Sequence, residues 1–173
     1  LEINHTITLS LDTVAEIVDI LGGIDVTVTE GFTDTEFPRD DVNIQTAKTH
    51  DELYETVTFE TGTQHMDGNT TLKYIRSRKS ANLDQGTDIA RAQRQQQVIS
   101  AVFEKLLSSS TIRNTTILSD LYLLYDETFE AQFPKLEALS TANYLLPYKD
   151  QIEFTSHTLS IYPEDPNGVI TNP

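Results

Sequence analysis

Arginine is concentrated in one part of this sequence. Arg76, Arg78, Arg91 and Arg94 fall within "YIRSRKSANLDQGTDIARAQRQQ", residues 74–96, where Asp84 and Asp88 are the carboxylates. A guanidinium is a planar fork of N–H donors that grips phosphate in bidentate fashion, so a cluster of them suits a multi-oxygen anion. Two guanidiniums about 6 Å apart repel by roughly 3 kcal/mol at an effective dielectric near 20. Asp88, one turn before Arg91, can neutralise one of them but not three. A phosphate-holding site and a set of surface ion pairs with the many acidic residues elsewhere are both open on this evidence.

The helical periodicity of Asp88–Ser108 sharpens the question. At 100° per residue, Asp88, Arg91, Gln95, Ile99, Val102 and Leu106 fall within roughly 80° of arc. Gln93, Gln97, Ser100 and Glu104 lie opposite. The apolar stripe is therefore expected to face the core and to carry Asp88, Arg91 and Gln95 inward with it, where a polar group needs a partner or a ligand. Arg76 and Arg78, two apart, share a side if that segment is extended. A helix start adds free N–H donors for an anion.

The elements that must position these groups are partly legible. "HTITLSLDTVAEIVDILGGIDVTV" reads as strand, helix, turn, strand: His5–Leu9 alternates, Asp12 or Thr13 caps the helix, and Val14, Ile17, Val18 and Leu21 recur at helical spacing. Gly22-Gly23 ends that helix, and Ile24, Val26 and Val28 alternate as a strand. Residues 30–55 are polar and read as a long loop. "TVTFETG" reads as a strand ended by Gly62, and Asp67-Gly68 as a turn before a short helix with Leu72 and Ile75 inward. Two helices are expected from "TTILSDLYLLYDETF" and "FPKLEALSTANYLL", with "LYLLY" in a core helix. Paired strands are expected in "QIEFTSHTLSIYP" and a disordered tail over 164–173. The class is α/β, one domain over 1–163.

Composition narrows the function. A formal charge of -15 over 173 residues argues against non-specific nucleic-acid binding. The absence of cysteine excludes disulfides, thiolate metal sites and cysteine nucleophiles. No run of eighteen apolar residues is present, and Leu1 in place of an initiator Met suggests a trimmed chain. His5, His50, His65 and His157 lack metal-ligand spacing, and no nucleophile-elbow, phosphate-loop or dinucleotide-binding string occurs.

Four strings in order, "GGIDVTV", "GTQHMDGNTTLKYI", "YIRSR" and "DIARAQRQQ", resemble the GGVDV, G-x-x-x-L-[DN]-G, Y-x-R-x-R and D-x-x-R-x-x-R-Q-Q elements of the LytR-CpsA-Psr family of cell-wall enzymes, with Met66 in place of the usual Leu. "DTEFPRDD" resembles the family's D-x-x-[YF]-P element. The resemblance covers about Ile7–Leu107. It implies a three-layer α/β/α domain with a mixed central sheet that moves an anionic glycopolymer such as teichoic acid. The transfer runs from a polyprenyl-(pyro)phosphate carrier to peptidoglycan, at the extracytoplasmic face of the membrane and with Mg²⁺. It assigns Arg76, Arg78 and Arg91 to the pyrophosphate, with Asp88 orienting Arg91 and Gln95 adding a polar contact. These residues, Asp88 included, are the expected catalytic set. Leu72, Ile75, Ile99 and Val102 are candidate prenyl-lining residues, and core packing explains them equally well. Arg94 and Gln96 match the motif but leave the shared stripe, and are expected to pack or to face the surface.

The sequence departs from the family in lacking the region before Leu1 that carries S-I-P-R-D and K-x-N. That region is expected to hold a membrane anchor, another Arg and the Mg²⁺ ligands, so the chain reads as the C-terminal part of the domain. "PRDD" at Pro38–Asp41 imitates the missing string, but no apolar strand is visible before it. The other reading is a non-catalytic domain that binds polyprenyl phosphate or glycopolymer for regulation or scaffolding.

Overall fold

Two chain segments, 24–38 and 54–66, run antiparallel along their whole length and form the frame of the molecule. The structure, a computed structural model, describes residues 8–40, 42, 49–80, 82, 84–129 and 134–152. The paired strands expected beyond Ile152, the tail over 164–173 and most of the His5–Leu9 strand lie outside these residues.

The first segment holds β1 (Ile24–Val28) and β2 (Phe32–Pro38), and the second holds β3 (Tyr54–Phe59) and β4 (Gly62–Met66). β1 pairs with β4, from Ile24 opposite Met66 to Val28 opposite Gly62. β2 pairs with β3, from Phe32 opposite Phe59 to Pro38 opposite Tyr54. One extra residue sits on the first segment between Val28 and Phe32, and another between Asp34 and Phe37. The two ladders are thus one long ribbon bent at two bulges, because an unpaired extra residue kinks the strand that carries it. Ile24, Val26 and Val28 are buried; beyond the first bulge Phe32 and Asp34 turn inward, and beyond the second Phe37 does.

This ribbon corrects the loop expected over residues 30–55, which holds a seven-residue strand, the short helix α2 (His50–Leu53) and the start of β3. It also places a strand with buried aromatics ahead of "PRDD", where none was visible. Gly62, expected to end a strand, opens β4.

Helix α1 (Leu11–Ile20) begins at Ser10, whose Oγ accepts from the Thr13 N–H at 3.0 Å; the cap expected at Asp12 or Thr13 is two or three residues earlier. Its end follows the expected logic. Gly22 and Gly23 have φ of +73° and +92°, and the Gly23 N–H closes on the Val18 carbonyl at 2.9 Å. Helix α3 (Gly68–Arg76) is capped by Asp67, which accepts from the Thr70 N–H at 2.8 Å. Its first residue presses against α1. The Asp19 carboxylate accepts from the Gly68 N–H at 2.7 Å, and a Cβ on Gly68 would stand 2.4 Å from the Ala15 carbonyl oxygen. Gly68→Ala must therefore push α3 off α1, at a cost of about 1–3 kcal/mol. Urea denaturation tests this; an unchanged midpoint would contradict the close crossing.

Helix α4 (Asp88–Leu107) starts at Thr87, which accepts from the Ala90 N–H. It packs on β1 and α3 with Ala90, Arg94, Val98, Ala101 and Val102 buried. Val18, Leu21, Ile24, Val26, Met66, Tyr74 and Ile75 complete the core. Helices α5 (Ser109–Ile112) and α6 (Thr115–Thr128) follow, and α6 lies against α1. The expectation of a core helix at "LYLLY" is corrected to one anchor: Leu124 is buried, while Tyr122 and Leu123 are more than half exposed. Helix α7 (Lys135–Leu145) forms as expected but presents Leu136, Leu139 and Tyr144 to solvent. The fold is of the α/β class expected, and its described strands are all antiparallel.

Candidate functional site

Of the α4 stripe expected to enter the core, Val102 alone is buried. Core burial follows Ala90, Arg94, Val98 and Ala101, a row about 100° round the helix from Arg91, Gln95 and Ile99. The predicted row instead borders two open depressions. Arg91 and Gln95 line a cleft of about 720 Å³, and Ile99, Val102 and Leu106 line an apolar groove of about 230 Å³. Asp88, expected to point inward, sits exposed beside the cleft with its side chain 69 % accessible.

The cleft gathers the predicted cations. Arg76, Arg78 and Arg91 line it together with Lys79, over a floor formed by Leu11, Phe37, Pro38 and Ile75. Arg76 ends α3, and Ser77 after it has φ -55° and ψ 133°, which turns the chain extended and sets Arg78 two residues on along the same wall. The Arg76 guanidinium lies over the Phe37 ring, 5.6 Å from its centre.

Each guanidinium also meets a carboxylate. Arg76 Nη1 donates to Asp40 at 3.2 and 3.3 Å. Arg78 Nη2 and Arg91 Nη2 both reach Asp88 Oδ1 at 3.1 Å, so Asp88 bridges two cations where one was expected. These pairs are open to solvent: the side chains are 33 % exposed for Arg76, 58 % for Arg78 and 31 % for Arg91. Exposed pairs contribute about 0–1 kcal/mol each. Asp40, in the "PRDD" string, thereby joins the site that the sequence placed it outside.

Two buried ions that the sequence reading did not assign to the site support it, Asp34 among the residues lining the cleft and Arg94 behind the end of α3. Asp34, 1 % exposed, accepts from the backbone N–H groups of Arg78 and Lys79 through Oδ2 at 3.0 and 3.1 Å, and from the Glu36 N–H through Oδ1 at 3.0 Å. Arg94, 2 % exposed, donates to the carbonyls of Tyr74, Ser77 and Gln85 and stacks 4.6 Å over the Phe32 ring. Arg94 was expected to pack or to face the surface, and it packs. Burial lowers its pKa, opposed by Tyr74 and Asp34, and the guanidinium stays charged all the same.

Tyr74 sets a pH limit on this support. Its hydroxyl donates to Gln97 Oε1 at 2.6 Å, and burial pushes its pKa up to about 12 against the opposing effect of Arg94. An unfolded tyrosine ionises near 10. The neutral phenol therefore supports the fold in full below about pH 10, and that support is lost as pH rises towards 12. Wild type should lose stability between about pH 10 and 12 by more than Tyr74→Phe does, as read from urea denaturation at several pH values. Parallel curves would contradict the burial of this phenol.

Of the candidate prenyl-lining residues, Ile99 and Val102 line the apolar groove, with Leu9, Val14 and Ile17 opposite. Ile75 is buried under the cleft instead, and Leu72 lines neither depression. His65 pairs with Asp25 at 2.8 Å and His50 approaches Glu36, each in an ordinary surface contact; His5 and His157 lie outside the described residues. Among the described residues no three His, Asp or Glu side chains come together to hold a metal ion, so these residues do not by themselves fit a Mg²⁺ site. No helix among them is long and apolar enough to cross a membrane.

Known proteins bear on this arrangement. A profile of the LytR-CpsA-Psr family matches residues 1–169. Among solved structures the fold is similar to B. subtilis TagV, with TM-score 0.53 and 23 % identity over 94 % of this chain and 54 % of that one. It is also similar to a LytR-Csp2A-Psr enzyme from Actinomyces oris, with TM-score 0.51 and 19 % identity over 86 % and 51 % of the two chains. A Listeria innocua protein gives TM-score 0.50 and 20 % identity over 87 % and 52 %. This chain spans about half the length of these relatives. No curated protein matches. The order of the four motifs, the α/β fold and the family match agree: the chain belongs to the LytR-CpsA-Psr family.

Proposed function

We propose that this chain is the part of a cell-wall phosphotransferase that holds a polyprenyl-pyrophosphate-linked glycopolymer. The observation that carries the reading is that one stripe of α4 borders both a basic cleft, at Arg91 and Gln95, and an apolar groove, at Ile99 and Val102. Eight residues of helix separate Arg91 from Ile99, about 12 Å. A charged headgroup joined to a hydrocarbon chain has this polarity over this distance.

In this reading Arg76, Arg78 and Arg91 grip the diphosphate, Gln95 donates an amide hydrogen bond, and Asp88 orients Arg78 and Arg91. Ile99 and Val102 contact the start of the prenyl chain. As the phosphorus–oxygen bond to the carrier breaks and one to a peptidoglycan hydroxyl forms, the hydroxyl proton passes to water and negative charge grows on the departing prenyl phosphate. Fixed guanidiniums stabilise that charge more than they stabilise the resting diester. In this reading the work is done in the cell envelope, at the extracytoplasmic face of the membrane, with Mg²⁺ supplying further charge stabilisation when bound.

The test compares this chain's affinity for a short prenyl pyrophosphate, the matching prenyl alcohol and inorganic pyrophosphate. The lipid pyrophosphate should bind more tightly than either part alone. Equal binding of the alcohol would remove the headgroup site, and equal binding of inorganic pyrophosphate would remove the groove. Binding by the complete protein without transfer to peptidoglycan in the presence of Mg²⁺ would favour the regulatory or scaffolding reading.

A further inference from the structure

A helix can stop because its sequence stops favouring it, or because its end groups are taken by something else. The end of α3 is of the second kind. The Tyr74 carbonyl would ordinarily accept from the N–H four residues on, that of Arg78. That N–H is held instead by Asp34 Oδ2 at 3.0 Å, and the next, from Lys79, by the same oxygen at 3.1 Å. The freed carbonyls are taken from the other side: Arg94 Nε donates to the Tyr74 oxygen at 3.0 Å and Nη2 to the Ser77 oxygen.

The two ions therefore hold opposite sides of the backbone that carries Arg76 and Arg78, one taking its N–H groups and the other its carbonyls. Both are almost fully buried, and among the described residues neither makes a side-chain ion pair. Burying a lone charge is costly unless hydrogen bonds replace its water. Backbone groups supply them on each side: Asp34 accepts three N–H groups, and Arg94 has four oxygens, the two named and those of the Gln85 main chain and side chain at 3.0 and 3.4 Å. Gln85 belongs to the segment leading into α4, so the same guanidinium also ties the approach to Asp88 and Arg91.

We infer that Asp34 and Arg94 are positioning residues for the anion site: they touch no ligand, and they fix the backbone at Ser77 so that Arg76 and Arg78 project into one cleft. The inference rests on the cleft being an anion site as proposed above. Lysine cannot replace Arg94, because one ammonium cannot reach three carbonyls on two chain segments at once.

The experiment measures inorganic pyrophosphate affinity by calorimetry and amide exchange site by site, for wild type, Arg94→Lys and Asp34→Asn. Each variant should lose about tenfold or more in affinity. Exchange at the Arg78 and Lys79 amides should quicken by a similar factor, while Val18 in α1 keeps its protection. In an Arg76→Ala/Arg78→Ala background Arg94→Lys should cause a smaller further loss, only that acting through Arg91. Leu124→Ala, which loosens the fold at α6 away from the cleft, should keep affinity within about twofold. Wild-type affinity with unchanged exchange in both variants, or a full additional loss in the double background, would overturn the assignment. Should wild type bind no pyrophosphate, the anion reading falls, and exchange at Arg78 and Lys79 alone decides the positioning claim. If Arg94→Lys fails to fold, the same readings on Asp34→Asn decide it.

Discussion

Phe32→Ala is expected to cost about 3–5 kcal/mol of folding stability, the range for removing a buried aromatic ring. Phe32 is 5 % exposed. Its ring lies 5.2 Å from that of Phe59 and 5.9 Å from that of Tyr74, and the Arg94 guanidinium covers it at 4.6 Å. Truncation empties the centre of this group and leaves a buried cation without the π-face beneath it. The adjacent Thr33→Ala is the control. Thr33 sits on the outer face, where its hydroxyl meets that of Thr58 at 3.1 Å, and its loss should cost no more than about 1 kcal/mol. Urea denaturation of the two variants separates a strand in the core from a surface segment. A cost below about 1 kcal/mol for Phe32→Ala would mean that residues 32–38 carry no core.

That variant also bears on what the sequence could reveal. Strand reading depends on alternation, and alternation fails at a bulge. In "FTDTEFP" the inward residues are Phe32, Asp34 and Phe37, a spacing of two and then three. One of them is a carboxylate, whose inward position makes sense only once the N–H groups of Arg78 and Lys79 are seen to need it. No local window contains that demand, since the partners lie more than forty residues away.

The helix of residues 88–107 was legible in extent and incomplete in orientation. Its most apolar stripe seemed bound for the core, yet a residue as polar as Arg94 occupies the core row instead. The carbonyls that satisfy it belong to the end of another helix and to Gln85. Where the signal was local the reading held. The Gly22-Gly23 helix end, the Asp67-Gly68 start of α3 and the spacing of Arg76 and Arg78 are each decided within a few residues of chain. Arg76, Arg78 and Arg91 line one cleft, and an extended Ser77 keeps the first two on one wall.

Removing those cations one at a time gives the largest effect expected on binding. Arg76→Ala and Arg91→Ala should each weaken binding of a prenyl pyrophosphate by about 1.5 kcal/mol or more, the low end for hydrogen bonds to charged groups. The double variant should lose about 3 kcal/mol or more, over a hundredfold, if the two act independently. The competing carboxylates set the other side of the comparison. Asp40 and Asp88 already occupy the forks, but exposed pairs of this kind are worth about 0–1 kcal/mol. A diphosphate offers several oxygens to two or three guanidiniums at once and should displace them. Asp40→Asn, which removes the rival for Arg76, should therefore shift affinity by less than about 1 kcal/mol, well below the loss from Arg76→Ala. The reverse order, a large effect from Asp40→Asn and none from either arginine, would mean that Arg76 and Asp40 are an ordinary surface pair and that the cleft holds no phosphate.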